Sequence, residues 1–180
     1  MSLNIRKQAG FTLIEMIIVV LLLGILAMVI IPQITVSTGE ARLNTLRTNL
    51  NTVRGAIELY YHQHNNTYPG AVKTDGSGTA TVALDLPAAF IDQLTKYTVL
   101  DGEANGDKTA LPAGETVYGP YLKTATLPEN PYNESTGATC DITVTDVTTR
   151  TATPADATGW KFYVNTGVFI ANDSAANAVY

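Results

Sequence analysis

KQAGFTLIEMIIVVLLLGILAMVIIPQI, residues 7–34, decides how this chain is built. One carboxylate, Glu15, stands in the opening turns of an apolar run, and from Met16 to Ile34 there is no charged residue. Such a run matches the ~20 residues that a helix needs to cross a bilayer. Arg6 and Lys7 lie just before it. By the positive-inside rule they leave the N-terminus in the cytoplasm and send the polar bulk outward. A secretory signal would have a shorter apolar core followed by a small-x-small cleavage site. After Ile31 the chain reads PQITVSTGEARL, where no such site occurs and the helical pattern resumes, so the segment is expected to stay with the protein.

Plain anchoring leaves Glu15 unexplained, because an ionised carboxylate in hydrocarbon is expensive. Two readings remain open from the residues alone. Glu15 lies at headgroup level and stays solvated, or it meets a cation of another polypeptide, since this run offers no basic residue to pair with it.

Beyond the apolar run, Val36, Gly39, Leu43, Leu46, Leu50, Val53, Ile57 and Tyr60 recur at spacings of three and four. That periodicity predicts an amphipathic helix packing one face on its own domain. A helix from Phe11 to about His64 would be roughly 80 Å long at 1.5 Å per residue. Pro32 sits inside it and predicts a kink. In HQHNNTYPG, residues 62–70, Asn65, Asn66, Pro69 and Gly70 predict its end. His62 and His64 are two apart and point away from each other on a helix, so they are expected to be solvated rather than metal ligands.

The rest predicts a small outer domain. LPAAFIDQLTKY, residues 86–97, reads as a short helix with Phe90, Ile91, Leu94 and Tyr97 on one side, after a polar loop over 71–86. YGPYLKTATLPENPYNESTG, residues 118–137, is turn-rich. The β-branched stretch DITVTDVTTR, residues 141–150, predicts a strand. In GWKFYVNTGVFIAN, residues 159–172, Asn165-Thr166-Gly167 predicts a hairpin turn. An antiparallel sheet packed on the Leu43–Tyr60 stripe would bury one face. The fold class is α+β: a long N-terminal helix, its first half transmembrane, on a small antiparallel sheet.

Of 180 residues, 46% are hydrophobic and the formal net charge is −5; from residue 65 onward six Lys+Arg face thirteen Asp+Glu. A chain this acidic lacks the basic face that nucleic-acid binding needs. The single cysteine, Cys140, excludes an internal disulfide. No phosphate loop, H-E-x-x-H or G-x-S-x-G is present, so no catalysis is expected. Asp101, Glu103, Asn105 and Asp107 resemble the start of a calcium loop, but Glu stands third and Pro112 twelfth, so no metal or other cofactor is expected and calcium stays the alternative. Asn65, Asn133 and Asn172 each begin an N-x-S/T triplet, a chance pattern in an Asn/Thr-rich chain.

Gly10-Phe11-Thr12-Leu13-Ile14-Glu15, with a basic leader before it and a long apolar helix after it, resembles the prepilin signature of type IV pilins and type II secretion pseudopilins. The resemblance implies that prepilin peptidase cuts between Gly10 and Phe11 and that Phe11 is then N-methylated. It also implies that Glu15 neutralises the N-terminal ammonium of a neighbouring subunit during assembly. The implied organisation is a leader over 1–10, a transmembrane and filament-core helix over 11–34, an amphipathic continuation over 35–64 and an extracytoplasmic pilin-like domain over 65–180. Asn66-Thr67-Tyr68-Pro69, the G-P-Y-L run at 119–122 and the L-P-x-N-P run at 127–131 look like the pseudopilin branch. The implied function is a pseudopilin of a type II secretion system. Its implied partners are copies of itself, other pilins or pseudopilins, the peptidase and an inner-membrane assembly platform. It would sit first in the inner membrane and then in a periplasmic or cell-surface filament. The alternatives are a type IV pilus subunit for adhesion, motility or DNA uptake, and, from another class, a single-span membrane-anchored ligand-binding domain.

Overall fold

Leu46, Leu50, Val53, Ile57 and Tyr60, the stripe with helical spacing, are all buried, and Leu43 is half-buried beside them. The computed structural model of the chain describes residues 10–81 and 85–180, with the side chains of 29–37 outside that description. Helix α1 spans Leu13–Gln63. Asn65 and Asn66 follow it in the left-handed region, at φ 51° and 59°, and Gly70 has φ 84°. These are the residue types that tolerate such backbone, so the helix stops where the sequence says it should.

The chain divides into two units, Met1–Ala41 and Arg42–Tyr180. In the first, every described side chain from Gly10 to Met28 is exposed. Among the described residues no helix is long and apolar enough to cross a membrane. The transmembrane first half of the helix is therefore not shown, and its stretch from residue 29 onward falls where side chains are not described. At Pro32 the backbone is described as part of α1, without its side chain, and the leader charges Arg6 and Lys7 lie outside the described residues.

The second unit is built on the stripe. Helix α2, Asp85–Thr95, buries Leu86, Ala89, Phe90, Gln93 and Leu94. Tyr97 has already left the helix, in strand β1 (Tyr97–Thr98), which pairs antiparallel with β2 (Ala104–Asn105). Strands β3 (Ala138–Asp141), β4 (Trp160–Tyr163) and β5 (Val168–Ala171) make the main sheet, in the order β3-β4-β5. The β4–β5 hairpin forms as its turn predicts, with Phe162 opposite Phe169. The Tyr163 carbonyl accepts from the Thr166 and Gly167 amides at 3.1 and 2.9 Å. Trp160, Phe162 and Phe169 join the stripe and Phe90 in one core. A fully buried side chain of that size contributes about 1.5–3 kcal/mol.

Two expectations about the sheet change. β3 pairs with β4 in parallel, not antiparallel. The stretch 141–150 is not a strand beyond Asp141. Both follow from one local preference. Asp141 takes the Thr143 amide and hydroxyl at 2.8 and 2.7 Å, and Asp146 takes the Thr148 amide and hydroxyl at 2.8 and 2.7 Å. Side chains that capture their own backbone two residues on pull it out of a ladder. A parallel pair needs a crossover of a dozen or more residues, and 142–159 provides it as a loop with a 3-10 turn at Pro154–Asp156. Val144 and Ala152 from that loop pack on Tyr163, Ile170 and Ala178, so the sheet face expected to be wet is covered.

Candidate functional site

The start of α1 has a local geometry that the spacing T-x-x-E explains. Thr12 stands just before the helix and Glu15 is its third residue. The Thr12 amide and hydroxyl both donate to Glu15 Oε2, at 2.7 and 2.6 Å, and the Glu15 amide donates to Thr12 Oγ1 at 3.3 Å. This is a reciprocal capping box, which satisfies donors at the helix start that have no partner inside it. Thr12 was not among the expected site residues, although its motif was legible. Gly10 and Phe11 precede the cap without regular structure, both exposed, with Phe11 79% exposed. The bond between them is thus in accessible, non-helical chain. Glu15 Oε2 is engaged within its own helix, and the carboxylate remains exposed.

After the cap comes an apolar surface of unusual extent. Leu13, Met16, Ile17, Val20 and Leu21 line one groove along the helix, and the other large apolar residues through Met28 are exposed as well. Patches of this size on a protein surface mark a lipid or protein contact.

In the outer unit, the short motifs converge on structural contacts. The Tyr68 ring lies against Gly167, where a Cβ would come within 2.3 Å of it. Tyr121 of the G-P-Y-L run donates its hydroxyl to Gln63 at 2.7 Å, and the Tyr121 and Leu122 amides donate to the Leu94 carbonyl at the end of α2. Asn130 of L-P-x-N-P is buried and donates to the Gly159 carbonyl and to Asp173, both at 2.8 Å. The preceding Pro128 carbonyl accepts from Trp160 Nε1 at 2.8 Å. Gln93, also unanticipated, accepts from the Gly70 amide and donates to the Val72 and Gly102 carbonyls. A lone polar residue within an apolar helical face was its only sequence signal.

The calcium candidates do not converge. The Asp101 carboxylate accepts from the Glu103 amide, the Asn105 side chain from the Asp107 amide, and Asp107 from the Thr109 amide and hydroxyl. The Thr109 hydrogen bonds hold the Asp107 carboxyl below its ordinary range. Among the described residues no group of three or more His, Cys, Asp or Glu is placed to hold a metal ion. Burial pushes the Cys140 thiol up to about 12, so it is no nucleophile at neutral pH. His62 is exposed as expected, but His64 is buried, 1% exposed, and stacked on Tyr60. His64 is not solvated as its place near the helix end suggests, because an aromatic box at the end of α1 closes over it.

Residues 5–31 match the family model described as the prokaryotic N-terminal methylation motif. Among curated relatives, a "Type II secretion system core protein G" of Pseudomonas aeruginosa is 36% identical over 64 residues, covering 36% of this chain and 44% of that protein. The protein of the same name from Vibrio cholerae is 35% identical over 66 residues, covering 37% and 44%. A "Fimbrial protein" of Neisseria meningitidis is 30% identical over 110 residues, covering 58% of this chain and 65% of its own length. The chain spans less than half the length of the secretion relatives it matches. No solved structure matches significantly. The motif and these relatives make the chain similar, over its N-terminal part, to pilins and pseudopilins. Their names are those of secretion-system and fimbrial proteins, in keeping with a chain that is not an enzyme.

Proposed function

We propose that this chain is a structural subunit of a type IV pilus-like filament, and specifically a pseudopilin of a type II secretion system. The observation that carries the reading is a capped helix with exposed apolar side chains from Leu13 to Met28, directly after an accessible Gly10-Phe11 bond. Prepilin peptidase cuts that bond, and the new amino group of Phe11 is methylated. The apolar stretch over 11–34 holds the subunit in the inner membrane, N-terminus inside, until it is packed against the same stretch of its neighbours. Glu15, whose carboxylate is exposed, then receives the N-terminal ammonium of an adjacent subunit. The secretion relatives support the pseudopilin role.

A second reading is a type IV pilus subunit, favoured by the fimbrial relative, which aligns over 110 residues against 64 for the first secretion protein. Intact mass and N-terminal sequencing of the protein from its own host membranes test the shared core. A chain beginning at methylated Phe11 is expected; a chain retaining Met1 beside an active peptidase overturns it. Deleting the gene then separates the two roles: loss of secreted hydrolases marks the pseudopilin, loss of surface filaments with intact secretion the pilus subunit.

A further inference from the structure

His64 sits one residue past the end of α1, enclosed by rings. Tyr60 stacks on it at 3.8 Å between centroids and 3° between planes, and Tyr118 and Tyr121 close the box at 5.2 and 6.2 Å. Its Nδ1 lies 2.9 Å from the Tyr60 carbonyl. A carbonyl can only accept, so Nδ1 carries the proton there. Nε2 is then a bare lone pair, buried and with no hydrogen-bond partner. The other backbone group acting on the ring is the Val99 carbonyl, which already takes the Gly102 amide at 2.9 Å. Nδ1 thus spends the one proton of the neutral ring on the Tyr60 carbonyl, and a second proton on Nε2 would be buried without a hydrogen-bond partner.

We propose that His64 is an acid-operated latch: neutral, it closes the end of α1 against the β1–β2 hairpin; protonated, it leaves the tyrosine box and frees that hairpin. The titratable groups facing it are Tyr60 on α1, Tyr118 and Tyr121 on the segment after β2, and Asp101 in the β1–β2 turn. None of the tyrosines brings a charge at neutral pH, so within the box only Asp101 compensates an imidazolium. Burial outweighs Asp101 and the two carbonyls and holds the ring below the ordinary histidine range. The unfolded or opened chain therefore binds the proton more readily, and closure weakens as pH falls through the ordinary value of about 6.5. A cavity of about 190 Å³ borders the ring, lined by Tyr60, His64, Asn65, Leu100 and Asp101 among others. It gives the displaced imidazolium a place beside the Asp101 carboxylate.

The test is amide hydrogen exchange of the full chain in detergent micelles at about pH 7.5 and about pH 5, corrected for intrinsic rates, with His64→Phe as the non-titrating ring. In the wild type, peptides over 97–105 should lose protection at the acid pH, because the closed ring binds the proton less readily than the opened one, while those over β4 and β5 keep theirs. In His64→Phe the 97–105 peptides should be equally protected at both. Equal loss in both proteins, or loss in neither, overturns the latch. Should His64→Phe not fold, the wild-type imidazole is followed by NMR: titration in step with the 97–105 amides supports the latch, and titration without change in those amides overturns it.

Discussion

Gln93 carries no charge and no exposed surface, yet three backbone groups from two chain segments end on it. Its Oε1 takes the Gly70 amide at 2.7 Å, and its Nε2 reaches the Val72 and Gly102 carbonyls at 3.1 and 2.8 Å. Gln93→Leu keeps the volume and strands those backbone groups, each worth about 1–3 kcal/mol when left unpaired in the interior. A loss of about 2–4 kcal/mol is expected, since water reaches part of the loop. Urea unfolding followed by Trp160 fluorescence reads it, Trp160 being the one tryptophan and fully buried. Gly167 fails for a different reason. Its φ of 72° already disfavours a side chain, and an added Cβ would overlap the Tyr68 ring. Gly167→Ala should cost about 2–4 kcal/mol. In the same assay, Tyr68→Ala should relieve part of that loss, so the double variant falls short of the sum of the singles; strict additivity would show that the overlap is not what hurts.

At the scale of elements, legibility depended on how local the deciding interaction is. The α1 stripe was readable because one face, Leu46 to Tyr60, decides the matter within the helix itself. The hairpin was readable from Asn165-Thr166-Gly167. The parallel β3–β4 pair was not, because nothing near 138–141 records that its partner lies beyond an 18-residue crossover, 142–159. Over 141–150, β-branched Thr and Val argued for a strand, but Asp141 and Asp146 two residues before Thr143 and Thr148 argued for turns and won. His64 was misread likewise, since its burial comes from Tyr118 and Tyr121, far along the chain. Asp141→Ala tests the turn reading and should destabilise by roughly 1 kcal/mol, the usual net value of such hydrogen bonds. Burial alone would raise the Asp141 carboxyl, but the Thr143 and Val144 hydrogen bonds together prevail and lower it. Its contribution is therefore full above the unfolded value of about 3.9 and fades as pH falls below it. Wild type and variant should differ in urea midpoint at pH 7 and converge near about pH 2.

For the whole molecule, the question is which part holds the fold. Every residue named in the main core lies at or beyond Leu43, and the unit Arg42–Tyr180 contains both helix and sheet partners. The first unit exposes its apolar side chains from Phe11 to Met28. Folding of the outer unit thus gains nothing from that surface among the described residues, while association gains a great deal, at about 25 cal/mol per Å² of apolar area removed from water. A chain starting at Arg42 should therefore stay monomeric without detergent and keep the buried, blue-shifted Trp160 emission and the urea midpoint of the full chain. The full chain should need detergent or lipid and should form large assemblies when detergent is withdrawn. Size-exclusion chromatography with light scattering distinguishes these outcomes. If the shortened chain instead unfolds or aggregates, the N-terminal helix is a structural part of the outer domain, and an exposed apolar surface reserved for neighbours would no longer be the reason for its composition.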